Sequence, residues 1–402
     1  MAVFVYKARD EMGKQIKGVM EAKNREALAS KLGSIGYFVT DITEQKSGIK
    51  LGFGDRFVKV KNEDLILFNV QLANMIGAGL SLLTSLRTLT KQVENRKFRE
   101  IIQDVYRGIE AGGTFSDALA KHPRVFNKLT IHMVHAGEVS GTLDTVLNRL
   151  AIFAEHQADL EEKIKGAMVY PIILVIVGFS VIMFLSIFLI PMFVDVFLKA
   201  GVKLPMPTQI VFIFSQIVRK FWYVIIAGFI GVWVTLKWYF ATPAGTLMFD
   251  KYLLKVPVVG VLARKIAIAR FARTLATLTA SGVPILESLE IVEKVVGNEI
   301  IARVIRRVRE GVTEGSKIAE PLRISEEFPP DTIQMIAVGE ESGSLDTMLT
   351  KIADFYDTNV SYSVKKLTTL IEPVFLILVG SAVGFLLASV FLPMFDMMKV
   401  VK

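Results

Sequence analysis

The chain has no cysteine. Disulfides and thiolate metal centres are therefore excluded, which suits large parts that face a reducing cytosol. Histidine is nearly as scarce, at four in 402 residues. His132 and His135 stand three apart near Glu138 and are weighed as a metal set. Their counterparts in a second copy of the segment are Gln334 and Ala337, so no metal and no cofactor is expected. There is no G-x-x-x-x-G-K-[ST] phosphate loop. The stretch GVTEGSK from Gly311 has the wrong spacing and carries Ser-Lys where Gly-Lys is required. No nucleophile elbow is present either, and catalysis is not expected. The net charge of +8 is dispersed among acids rather than gathered into a basic tract with aromatics, which argues against nucleic acid. Lysines beside membrane spans account for it.

What the chain has in excess is apolar length. Hydrophobic residues make up 52% and the mean hydropathy is +0.47. The excess sits in three runs, Val169–Phe193, Phe221–Phe240 and Ile371–Phe395. Each is long enough to cross about 30 Å of hydrocarbon as a helix, so the lipid bilayer is an expected partner. Ionisable groups are almost missing from them: Glu372 lies at one edge, and Asp195 and Asp396 lie beyond the far ends. A transport pathway keeps charges at mid-membrane, where they are costly. Their absence weakens the alternative reading of a transporter or channel subunit driven by a separate ATPase. A membrane-tethered signalling scaffold is a third reading.

The first and third runs share a proline at their third position, Pro171 and Pro373, and both close on Pro-Met-Phe. The likeness extends upstream. FNVQLANMIGAGLSLLTSL from Phe68 aligns with FARTLATLTASGVPILESL from Phe271 at an offset of 203, and the segments from Phe126 and Phe328 align at 202. A one-residue gap reconciles them, giving a duplicated unit with its span at the C-terminal end. Apolar residues such as Leu143, Val146, Leu147, Leu150, Ala151 and Ala154 recur at helical spacing, and glycines punctuate the pattern. Asn62, Thr114, Thr142, Ser316 and Ser344 are expected N-caps. Six helices per copy result, the sixth continuing into the membrane. Ahead of them, VFVYKA and QIKGVMEA flank a turn at Asp10–Gly13, followed by a helix from Asn24 and a strand at Tyr37–Ile42.

The fold expected is mainly α: a polytopic membrane protein with two homologous cytosolic six-helix bundles, three transmembrane helices and a small N-terminal α+β domain. The boundaries are 1–45 for that domain, 46–60 for a linker, 61–168 and 241–370 for the bundles, and 169–193, 221–240 and 371–395 for the spans. An outer loop at 194–220 and an outer tail at 396–402 complete them. The opening stretch is too charged for a secretory signal, so the chain is expected to begin in the cytosol. Two bundles of like orientation, each followed by a span, need one unrelated span between them to bring the chain back. That places the N-terminus inside and the C-terminus outside. Lysine and arginine near the span ends favour this only slightly.

Four features stand out within the copies. GEVSGTLD and GEESGSLD place Gly137, Glu138, Gly141 and Asp144 opposite Gly339, Glu340, Gly343 and Asp346. Their turn chemistry reads as structural, while Glu138 and Glu340 could also meet a partner's basic residue or a cation. Gly380, Gly384 and Ala388 form a small-residue stripe suited to close helix packing, in the same chain or against a second copy. Pro171 and Pro373 are expected to bend their helices near the membrane surface.

These motifs in duplicate, with FARTLATLTASGVPILESLEI, KAGVKLPMPTQ and the opening FVYKARDEMGKQIKGVMEA, resemble the PilC/GspF family. Its members are inner-membrane platform proteins of type IV pilus and type II secretion machines. The resemblance covers essentially the whole chain. It implies a non-enzymatic hub in the bacterial inner membrane. It also implies a hexameric motor ATPase docked on the cytosolic parts, pilins or pseudopilins near the spans, other inner-membrane assembly proteins, and a homo-oligomer.

Overall fold

A computed structural model describes residues 2–9, 15–22, 29–30, 33, 37–44, 60–199 and 204–400. Residues Met1–Val60 form one unit and Lys61–Lys402 another. In the first, β1 (Ala2–Arg9), β2 (Gln15–Ala22) and β3 (Phe38–Glu44) build an antiparallel sheet in the order β2–β1–β3. β1 and β2 are the expected hairpin, paired from Ala2↔Ala22 to Arg9↔Gln15. The turn at Asp10–Gly13 lies outside the described residues, as does the linker apart from Val60. Of the helix expected from Asn24, residues 29, 30 and 33 are described, and they are helical.

The second unit is all helix. Copy 1 runs α1 (Asn62–Gly77), α2 (Leu82–Gln92), α3 (Arg96–Glu110), α4 (Phe115–Ala120), α5 (Lys128–Ser140) and α6 (Leu143–Phe184). A π-helical turn (Leu185–Leu189), α7 (Ile190–Lys199), α8 (Met206–Phe240) and α9 (Pro243–Lys255) lead on to copy 2. That copy runs α10 (Val259–Ala280), α11 (Ile285–Val295), α12 (Glu299–Thr313), α13 (Ala319–Ser325), α14 (Pro330–Ser342) and α15 (Leu345–Val400). The six-helix expectation holds in both copies. The one-residue gap falls between the fully buried pair Leu119/Leu322 and the pair Phe126/Phe328.

The expected caps divide. Thr114 does cap α4, its Oγ1 accepting from the Asp117 N–H at 3.1 Å. Asn62 is instead the first residue of α1, which is capped by Asp64 reaching back to the Lys61 N–H at 3.1 Å. Ser316 stops short of α13, which starts beyond Ile318. Thr142 and Ser344 give their hydroxyls to Ser140 and Ser342, at 2.7 and 2.6 Å. The cause is visible at Thr142: it follows a left-handed glycine and sits at φ −111°, ψ 39°, not in the extended conformation an N-cap needs.

Copy 1 buries an aromatic cluster, with Phe68 5.4 Å from Phe98 and 6.1 Å from Phe126 between ring centroids. Copy 2 keeps the Phe271–Phe328 pair at 5.1 Å. The two bundles are not separate bodies. Leu129, Met133, Val146, Leu150 and Phe153, on the far side of α5 and α6 from their own core, belong to the core of copy 2. Polar bonds surround this joint: His132 pairs with Glu287, Lys128 with Glu290 at 3.7 Å, and the Arg149 guanidinium donates to the Ala280 carbonyl.

Among the described residues three helical stretches are long and apolar enough to cross a membrane, Leu143–Lys199, Met206–Phe240 and Leu345–Phe395. The first and third lie side by side in the same direction. Leu160 meets Val360 and Val364 on the side of the bundles, Gly178 faces Phe375 within the spans, and Ile190 and Val194 meet Leu386 and Val390 at the far end. The segment 194–220, expected to be a loop, is helical over Val194–Lys199 and Met206–Lys220. Thr208, Val211, Ser215 and Val218 form its buried face. Thr208 Oγ1 donates to the Ser389 carbonyl at 2.5 Å, so this half of α8 is packed against the far ends of the spans. A kink at Phe221 (φ −115°, ψ 17°) then releases the second half of α8, whose residues from Phe221 to Phe240 are exposed throughout.

Candidate functional site

The duplicated GE-x-SG-x-LD motif forms the same object twice. α5 ends where Gly141 turns left-handed at φ 72°, and α14 ends at Gly343 with φ 67°. The Thr142 N–H then returns to the Gly137 carbonyl at 3.0 Å and the Ser344 N–H to Gly339 at 2.9 Å, closing the last turn and reversing the chain. The next helix crosses directly over the first glycine. A Cβ on Gly137 would lie 3.0 Å from Val146 Cβ, and one on Gly339 would lie 3.1 Å from Leu345 Cα. Both glycines are therefore close-approach positions. Asp144 and Asp346 stand in the first turns of α6 and α15, where a carboxylate favours the helix dipole.

Between the glycines, the glutamate reaches across to the short helix of its own bundle. Glu138 accepts from the Phe115 N–H at 2.5 Å, the Ser116 N–H at 3.0 Å and the Ser116 hydroxyl at 2.5 Å. Glu340 accepts from the Ile318 and Ala319 N–H groups at 2.6 and 3.0 Å. Helices as short as α4 and α13 do not persist alone in water. The carboxylate satisfies donors that such a helix start would leave orphaned, with charge of the favourable sign. Engaging a partner's cation would mean giving up these bonds. His135 lies 3.5 Å from Ser116 on the rim of this clamp, while His132 is turned toward Glu287 of copy 2, so the structure does not bring the two histidines together with Glu138.

Replacing either glutamate by alanine strands two backbone donors, at about 1–3 kcal/mol for each buried unsatisfied group. Glu138→Ala is expected to lower the melting temperature in detergent more than Glu340→Ala, because Ser116 adds a third bond. Unchanged melting in both variants would show that the clamps carry no stability.

The membrane residues are placed less evenly. Pro171 and Pro373 both lie inside continuous helices. Gly380, Gly384 and Ala388 are exposed, and a Cβ at either glycine would meet open space. Of the two neighbours expected for the stripe, the chain's own helices are not it. Close packing falls instead on Gly178, the counterpart of Gly380: a Cβ there would come 2.5 Å from Phe375 Cζ and 3.1 Å from Val379 Cγ2.

One polar cluster was not anticipated. Arg273 on α10 donates to Asp354 and Asp357 on α15, both at 2.6 Å, beside His156, Asp159 and Lys163 of α6 in a cavity of about 250 Å³. Burial works against the guanidinium charge, but the bonds and charges of Asp357 and Asp354 outweigh it and hold its pKa above the usual value. The pairing spans 81 and 84 residues of chain, so no local spacing announces it.

This architecture has relatives. The chain matches the family described as Type II secretion system (T2SS), protein F, twice, over residues 68–191 and 271–393. Residues 1–43 match the Type II secretion system protein F, N-terminal domain. It is 39% identical over 400 residues to a type IV pilus assembly protein PilC of Myxococcus xanthus, covering 98% of this chain and 95% of the relative. It is 39% identical over 404 residues to the PilC of Thermus thermophilus, covering 98% of each. A type II secretion system protein F of Vibrio cholerae is 32% identical over 400 residues, 99% of this chain and 98% of that one. Both matches to the family fall on a bundle together with the span that grows out of it, and the chain belongs to the type II secretion system protein F (PilC/GspF) family.

Proposed function

We propose that this chain is the inner-membrane platform of a type IV pilus or type II secretion machine, linking a cytosolic hexameric motor ATPase to the addition or removal of pilin or pseudopilin subunits. One observation carries the reading: in each copy one helical rod, α6 with its π turn and α7 or α15 alone, begins inside the bundle and continues without a linker through the apolar span. A rigid element that starts in the cytosol and ends at the far side of the membrane is what such a linkage needs. The bundles lie in the cytosol, the C-terminus lies outside, and the chain passes on movement without catalysing a reaction.

A strain lacking the chain should lose surface filaments, or secretion of pseudopilus-dependent enzymes, and regain them with the wild-type gene. The full-length protein in detergent should retain the motor ATPase through the bundles. Retention that depended only on residues 194–220 would reverse both the docking and the orientation. ATP-dependent solute uptake into vesicles, with filaments intact in the deletion strain, would favour the transporter reading instead.

A further inference from the structure

The two copies do not meet face to face. Copy 1 presents α5 and α6, copy 2 answers with α10, α11 and one flank of α15, and among the described residues no comparable pairing joins α14–α15 to α1–α2. The joint is thus head-to-tail, and such a joint leaves one unused copy of each face at the two ends of the chain. Both unused faces are identifiable by position. Phe153 is 8% exposed in the joint, while the same residue type at its counterpart, Phe355, is 55% exposed. Val338, the counterpart of the packed Ala136, is 41% exposed. On the receiving side, Val283 is 5% exposed and its counterpart Leu80 is 45% exposed.

The spans repeat the pattern independently. Gly178 of the first span receives Phe375 and Val379 of the third. Applying the same step once more brings Gly380, with open space beyond it, against the counterparts of Phe375 and Val379 on another molecule. Those are Ile173 and Val177, exposed here. Charge complementarity survives the step with its sign reversed. The joint inside the chain sets Lys128 against Glu290. The free faces set Asp331, one place along α14, against Arg87, the counterpart of Glu290. Lys351, the counterpart of Arg149, would reach the carbonyl of Gly77, the counterpart of Ala280.

We infer that a second copy of this chain docks head-to-tail. Its α1–α2 face and first span cover the α14–α15 face and the Gly380/Gly384/Ala388 stripe, by the same operation that relates the two copies within one chain. The first and third spans run side by side in one direction, so the operation keeps the membrane normal fixed and further molecules can join within the bilayer. This goes beyond the platform reading and does not depend on it.

The test uses the full chain in native membranes, where the absence of cysteine makes every introduced one unique. His132→Cys with Glu287→Cys is the reference pair and should crosslink within one chain under a short bismaleimide. Thr84→Cys with Gln334→Cys, the counterpart pair, is expected to give dimers and larger species at roughly ten times the yield of either single variant. Mixed single variants should give dimers alone. Adding Phe355→Asp, or Gly380→Leu with Gly384→Leu, should abolish the crosslink between chains and spare the reference crosslink, which also shows that the variants fold. The inference is overturned if the Thr84/Gln334 pair yields no more than its single variants. It is equally overturned if Gln334→Cys or Thr84→Cys alone crosslinks as strongly as the pair, since that marks a symmetric contact.

Discussion

Inserting three glycines after Lys366 is expected to abolish filament assembly while membrane insertion, folding of the bundles and motor retention persist. The site is chosen from the packing. Below it, α15 is held by Val360 and Val364 against α6 and α10, and by Ser363, which accepts from Lys265 at 3.0 Å. Above it the apolar span begins. α15 has 56 residues, a rod of about 84 Å at 1.5 Å per residue. Each glycine costs about 1 kcal/mol of helix stability relative to alanine, enough to make a soft joint at that one place. Three extra residues also turn the downstream helix by roughly 300°. Three alanines at the same site therefore serve as the control, with the same rotation but a stiff helix. Filaments with the alanines and none with the glycines would show that stiffness matters. Filaments at wild-type numbers in the glycine variant would show that movement does not pass along α15.

The second large effect is expected at Gly178. Replacing it with leucine drives a branched side chain into the space of the Phe375 ring and Val379, and the neighbouring helix must move away. Overpacking of this kind typically costs 1–3 kcal/mol. Here it also pushes apart two spans that pack side by side from Leu160 and Val360 to Val194 and Val390. The expected result is loss of the compact membrane-embedded form, read as rapid proteolysis and a lowered melting temperature in detergent. Gly380→Leu occupies the matching position in the other copy, meets open space within its own chain, and should leave the melting temperature unchanged. Equal effects from the two substitutions would mean that the spans pair differently.

That contrast marks the limit of what the sequence discloses. The repeat, the three apolar runs, the glycine-terminated helices and the fusion of bundle to span were all legible, because each rests on local spacing. Phe153 and Phe355 were indistinguishable: the residue is the same, the helical position is the same, and only the neighbour differs. Glu138 and Glu340 could be noticed as a shared motif, and Thr114 marked the start of α4, but no local spacing links either glutamate to a helix start 22 residues back. Thr142 misled because N-cap preference assumes an extended backbone, which it lacks after a left-handed glycine, and Ser344 follows a left-handed glycine in the same way. The helix at 206–220 was hidden by its composition. Pro205 just before it, Pro207 inside its first turn, two glutamines and an Arg-Lys pair suggest a loop, whereas the burial of Thr208, Val211, Ser215 and Val218 follows helical spacing.

The joint between the two bundles acquires a particular character from the chain that connects them. Copy 1 and copy 2 are tied through α7, α8 and α9, so their contact is an intramolecular event at an effective concentration on the order of millimolar. A surface with an intrinsic affinity of only about 1 μM would then stay closed roughly 999 times in 1,000. The tether thus relieves this joint of any need for strength. Loss of the His132–Glu287 pair by substitution should leave it shut, and its sequence is free to be tuned for angle instead of grip.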